Sequence, residues 1–196
     1  MKTSFKKMRR RAQQNFQQGF SLLEVMISIM ILMTGFVSLL GIFGLAMAVT
    51  QGAHQDLVAK QLASEAMESI FTARDTAQLD WTQIANTSDG GIFSNAQPFY
   101  PINQSGADGI IGTADDAAAG AVTVREPGPD GIVGTADDVI IPLSNYQRSI
   151  TIAKAFDKAN NEITSLRQVT ITIQYTNPGI KTPKNYVLSS YISQYR

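Results

Sequence analysis

The sequence predicts an α+β chain. One long N-terminal helix, membrane-spanning and then amphipathic, is expected to pack on a C-terminal antiparallel β-sheet. Three observations predict this. From Phe20 to Val49 the only charge is Glu24. Apolar residues then recur every fourth position from Val58 to Ile70. Over Arg148–Ala155 and Gln168–Thr176 the pattern switches to alternation, the period of a half-buried strand.

The apolar run comes first. A bilayer core takes about 20 apolar residues as helix, and this run exceeds that, so it can span. A lone carboxylate inside a span costs roughly 2.5–3.5 kcal/mol on insertion scales, so Glu24 is expected to have a purpose. Gly35, Gly41, Gly44 and Gly52 interrupt the segment. Each weakens a helix by about 1 kcal/mol, while small residues let helices approach closely in lipid. Gly41, near the middle, is expected to act as a soft hinge.

The helix then becomes amphipathic. Val58, Leu62, Ala66 and Ile70, with Ala63 and Met67 alongside, form one stripe, and Asp56, Lys60, Glu65 and Glu68 fall between them. This stripe is expected to pack on a globular head. Residues 76–105 read as a connecting region, with turn formers Asn86, Ser88, Asp89, Gly90 and Gly91. Trp81, Phe93, Phe99 and Tyr100 are expected to pin it down. Strands are expected over Arg148–Ala155, Gln168–Thr176 and Tyr186–Tyr195, with a shorter one at Val139–Leu143. Val169, Ile171, Ile173 and Tyr175 share one face. Asp157–Glu162 supplies a polar turn.

Between connector and sheet lies an internal repeat. Residues 106–116, GADGIIGTADD, match residues 128–138, GPDGIVGTADD, at nine of eleven positions. Hard cations such as Ca2+ take six to eight oxygen ligands, and each copy offers several. Asp108, Thr113, Asp115 and Asp116 in one, and Asp130, Thr135, Asp137 and Asp138 in the other, are the expected donors. Glycines between them permit the tight turns. The loops resemble short Asp-Gly calcium repeats of exported bacterial proteins. They are not EF-hands, because the closing glutamate is missing. A hairpin turn with solvated acids is the plainer alternative.

Charge is unevenly spread. Lys2, Lys6, Lys7, Arg9, Arg10 and Arg11 put six positive charges and no acid into the first 19 residues, although the whole chain is formally neutral. Beside an apolar span such a head orients the chain with its N-terminus in the cytoplasm. The rest of the chain is net acidic, so nucleic acid is not an expected partner. There is no cysteine, so disulfides and Cys/His catalysis are excluded. His54 is the only histidine and reads as a solvated residue near the membrane surface. No nucleotide-binding or nucleophile-elbow pattern is present, and no enzyme is expected.

The segment GFSLLEVMISIMIL, Gly19 to Leu32, resembles the signal of type IV prepilins and type II secretion pseudopilins. The resemblance implies cleavage after Gly19 and N-methylation of Phe20 by a prepilin peptidase/methyltransferase. It also implies a role for Glu24 in assembly. The expected organisation is a cleaved leader over 1–19, the transmembrane half of the helix over 20–50 and its amphipathic half over 51–75. A head over 76–196 would carry the duplicated loops. The expected protein is a PilV-like minor pilin: an initiating or tip subunit in the inner membrane, crossing once with its head in the periplasm, then in the pilus. Its partners would be other pilin or pseudopilin subunits. A minor pseudopilin is the alternative within the family. A membrane-anchored calcium-binding module that never polymerises is the alternative from another class.

Overall fold

A computed structural model describes residues 19–176 and 182–195. The basic head and residues 1–18 of the expected leader lie outside them. The chain divides into two compact units, Met1–Met47 and Ala48–Arg196, each described here by itself.

In the first unit, helix α1 (Leu22–Asp75) begins. It is long and apolar enough to cross a membrane. Its residues in this unit are all exposed, as lipid-facing side chains would be in an isolated chain. Three hydroxyls turn back onto helix carbonyls: Ser28 donates to Glu24 O at 2.7 Å, Thr34 to Ile31 O at 2.8 Å and Ser38 to Thr34 O at 2.8 Å. Such back-bonding gives each of these three hydroxyls an acceptor within the helix, which an apolar solvent would not supply. The helix runs unbroken through Gly41, so the expected soft point produces no local break. A single glycine weakens a helix without abolishing its hydrogen bonds.

In the second unit, α1 buries Ala59, Leu62, Ala63, Ala66, Met67, Ile70 and Ala73. That is the predicted stripe, at the 3–4 residue spacing of one helical face. It faces a four-stranded antiparallel sheet in the order β1-β4-β5-β6. The strands are β1 (Tyr100–Pro101), β4 (Tyr146–Phe156), β5 (Glu162–Tyr175) and β6 (Lys184–Ser193). Val169, Ile171, Ile173 and Tyr175 of β5 point into the core with Ile150 and Ile152 of β4 and Ile192 of β6. Each fully buried Ile or Val contributes roughly 1.5–3 kcal/mol. β5 starts earlier than expected because its pairing with β4 extends past a bulge at Lys154/Ala155, joining Glu162 to Phe156; β4 starts earlier at its other end, where Tyr146 pairs with Tyr175.

The short strand expected near Val139 exists as β3 (Val139–Pro142), but it does not join this sheet. It pairs instead with β2 (Thr123–Glu126), a strand that alternation alone did not reveal. A four-residue helix, α2 (Asp116–Ala119), lies between the loops.

Polar contacts tie helix, connector and sheet together. Tyr146 and Tyr175 stack with centroids 5.5 Å apart. The Tyr175 hydroxyl donates to Asp56 Oδ1 at 2.5 Å, and Lys184 lies 3.5 Å from the same oxygen. In the connector, buried Asn86 donates to Ser94 O and Ile150 O, both at 2.8 Å, and accepts from Ile152 N at 2.7 Å. It thereby covers the edge of β4 beyond its short pairing with β1. Of the expected aromatic pins, Phe93 is fully buried. Trp81 donates to Thr164 O at 2.9 Å and holds the Arg167 guanidinium 4.6 Å over its ring. Tyr100 is exposed, and its backbone pairs with Arg148 of β4.

Candidate functional site

Gly19, Phe20 and Ser21 precede the first turn of α1 in non-helical conformation. Phe20 is 82% exposed. Ser21-Leu22-Leu23-Glu24 has the spacing of a capping box. The bonds formed there are those of the helix backbone: Ser21 O accepts from Glu24 N at 3.0 Å and Val25 N at 3.2 Å. The Glu24 carboxylate itself has no hydrogen-bond or ion-pair partner among the described residues. Glu24 is therefore an exposed acid on an apolar helix, available to a group from outside the described chain.

The duplicated loops are built almost identically. In each copy the first aspartate turns the chain: Ile110 N donates to Asp108 Oδ1, and Ile132 N to Asp130 Oδ1, both at 2.8 Å. Thr113 donates to Asp115 Oδ1 and Thr135 to Asp137 Oδ1, both at 2.6 Å. The final aspartate receives Gly112 N at 2.7 Å in the first loop and Gly134 N at 2.6 Å in the second. Gly112 and Gly134 sit at φ +98 and +102, a region costly for any residue with a Cβ. Hydrogen bonds to the charged form hold the Asp115 and Asp137 carboxyls below the ordinary value; the threonine hydroxyls contribute most. The acids of each loop are thus the acceptors that close it. Among the described residues, no group of three or more Asp, Glu or His side chains is placed to hold a metal ion.

The two loops differ in what surrounds them. In the first, Asp116 is buried and lies 3.5 Å from the buried guanidinium of Arg148 on β4. Burial raises the Asp116 pKa; backbone bonds from Gly112 and Gly106 and the charge of Arg148 oppose it. In the second, Asp138 lies 3.4 Å from Arg125, whose side chain is half exposed. Sequence reasoning named the acids and missed Arg148, because the strand pattern reads its position only as an inward-facing slot.

The remaining expectations can be placed. His54 is exposed on α1, as predicted. Gly19, Phe20 and Glu24 fall in the first unit, and both loops in the second.

Residues 14–40 match the family described as the prokaryotic N-terminal methylation motif. That match supports a type IV prepilin-like protein, processed by prepilin peptidase and assembling with other pilins, and a structural subunit rather than an enzyme. No curated protein and no solved structure matches the chain. The long helix followed by antiparallel sheets is an α+β, pilin-like arrangement.

Proposed function

We propose that this chain is a minor type IV pilin, a non-enzymatic subunit that initiates or tips the fibre. It is made as a prepilin, inserted once through the inner membrane with its head in the periplasm, cut after Gly19 and methylated on Phe20. The observation that carries this reading is the methylation motif over an apolar segment, Phe20 to Val49, whose single acid, Glu24, has no partner among the described residues.

The chemistry follows from that acid. Cleavage frees the Phe20 amine four residues from Glu24. Methylation keeps this amine a cation, because a secondary amine still binds a proton. Opposite charges attract far more strongly in a low-dielectric layer than in water. The amine of one subunit therefore pairs with Glu24 of its neighbour and sets the axial register of assembly. Glu24→Gln is expected to leave cleavage intact and to impair incorporation into the fibre. Gly19→Val is expected to block cleavage, since a branched side chain obstructs the cleft. Equal incorporation of Glu24→Gln and wild type would sink the pairing. Deleting the gene and scoring surface pili and exoprotein secretion separately tests the role: loss of pili alone fits a minor pilin, and loss of secretion alone a minor pseudopilin.

We further propose Ca2+ as a ligand of the Asp/Gly loops, on the strength of two copies of an oxygen-only donor set whose Asp115 and Asp137 favour the charged form. Binding has to replace hydrogen bonds that already close the loops. CaCl2 titrated into the full chain in detergent is expected to give heat and a raised Tm. Neither heat nor a shift would leave the loops as self-closed turns.

A further inference from the structure

The two loops share nine of eleven residues and most of their internal hydrogen bonds, yet their apolar tips have opposite fates. In the first loop Ile110 and Ile111 are 2% and 7% exposed and belong to the core that contains the α1 stripe. Ile111 N donates to Ser69 Oγ on α1 at 3.0 Å, Ser94 N to Gly112 O at 2.9 Å, and Gln78 Nε2 to Asp108 O at 2.5 Å. A Cβ on Gly112 would strike the Ile150 side chain. The loop is a plug, seated between helix and sheet. In the second loop the corresponding Ile132 and Val133 are 61% and 60% exposed. A Cβ on Gly134 would meet nothing within 4 Å. No hydrogen bond reaches Val133 N among the described residues. The strand leaving the loop continues with exposed Val139 and Ile140.

We propose that the second loop is a plug for another subunit, seated there as the first is seated here. This rests on the reading of the chain as an assembling subunit. The first loop shows what receives such a tip: an apolar seat between a helix and a sheet, with a side-chain hydroxyl for the amide after the first branched residue. A second copy of this chain does not offer that seat, because its own Ile110 and Ile111 fill it. Charge narrows the partner further. Glu126, Asp130 and Asp137 are exposed around the tip, and Arg125, the only basic residue from 106 to 138, is engaged by Asp138. The occupant is therefore a different prepilin-type subunit, with an empty helix–sheet seat and a basic rim.

The test places a photoreactive residue at Val133 of the full chain in its native envelope, with Tyr191 on β6 as an exposed control position. The mature N-terminus is scored in the same cells. The expected result is a cross-link from position 133, and none from 191, to a second protein bearing its own N-terminal methylation motif. In the full chain in detergent, the double variant Ile132→Asp/Val133→Asp should keep the wild-type Tm. In cells it should lose co-assembly, while Ile110→Asp unfolds the head. Processed Phe20 with no cross-link, with a cross-link to a second copy, or with one to a protein lacking the motif overturns the inference alone. So does a Tm that falls as far for the double variant as for Ile110→Asp. An unprocessed leader overturns the subunit reading and this inference with it.

Discussion

Removing Asp116 and removing Asp138 is the same chemical change made in two copies of one loop, and the structure sets different consequences for it. Asp116 and Arg148 are 9% and 6% exposed in their side chains. Asp116→Ala leaves the guanidinium in the core without its carboxylate, and breaking one side of a buried pair costs roughly 3–5 kcal/mol. It also strips the acceptor from Gly106 N and Gly112 N. In the second loop the carboxylate of Asp138 is tucked against its own turn, but Arg125 is 51% exposed. Asp138→Ala releases that guanidinium into water, where a lost pair is worth about 0–1 kcal/mol, together with two loop hydrogen bonds, from Gly134 N at 2.6 Å and Thr135 Oγ1 at 3.4 Å, worth about 1 kcal/mol each. For a chain of this size each kcal/mol moves Tm by about 2–4 °C. The expected falls are therefore about 6–20 °C for Asp116→Ala and under about 12 °C for Asp138→Ala. Near-UV circular dichroism of the full chain in detergent, with temperature, reads both. Asp116→Asn separates charge from shape: a fall close to that of Asp116→Ala assigns the cost to Arg148. Equal shifts for the two alanine variants, or a larger one for Asp138→Ala, would refute the reasoning.

Three further outcomes are expected. Asn86→Ala removes three hydrogen bonds from a buried position and should cost roughly 2–4 kcal/mol, read as a lowered urea midpoint. Asn86→Asp should be no better, because it cannot donate to Ser94 O and Ile150 O. Burial, then the hydrogen bond to Asp56 and its charge, push the Tyr175 hydroxyl up to about 12. Its folded value lies above the unfolded value of about 10, so its contribution is whole below the unfolded value and is lost as pH rises through the folded one. Asp56→Asn should lower that value in a tyrosinate absorbance titration, and an unchanged curve would contradict the assignment. Hydrogen bonds to the charged form hold Asp115, Asp137 and Asp157 low. Their stabilisation is present above the unfolded carboxylate value and lost as pH falls through the folded one. Asp116, raised by burial, works in the opposite direction, its contribution falling as pH rises through its folded value. Melts across the acid range should flatten for Asp137→Asn and steepen for Asp116→Asn.

The sequence alone determined whatever a local period can carry. A 54-residue helix, its buried stripe from Leu62 to Ile70, and the inward face of β5 at Val169, Ile171 and Ile173 follow from which residues recur every three to four, or every two, positions. The proposed processing segment is a local pattern of the same kind: residues 14–40 match the methylation motif, and Gly19, Phe20 and Glu24 lie at fixed spacing within it. The internal closure of each loop also follows from neighbours, since Asp108 and Asp130 reach amides two residues on. Only the tertiary structure decided what each loop meets. Ile110 and Ile132 are the same residue in the same eleven-residue frame, and the first is buried while the second is exposed. What separates them is that α1 and β4 converge beside one loop, while the other closes a two-stranded hairpin made by β2 and β3. Arg148 and Asn86 were hidden for the same reason. Their partners lie 32 and 64 positions away along the chain, and folding, not periodicity, brings such distant groups together.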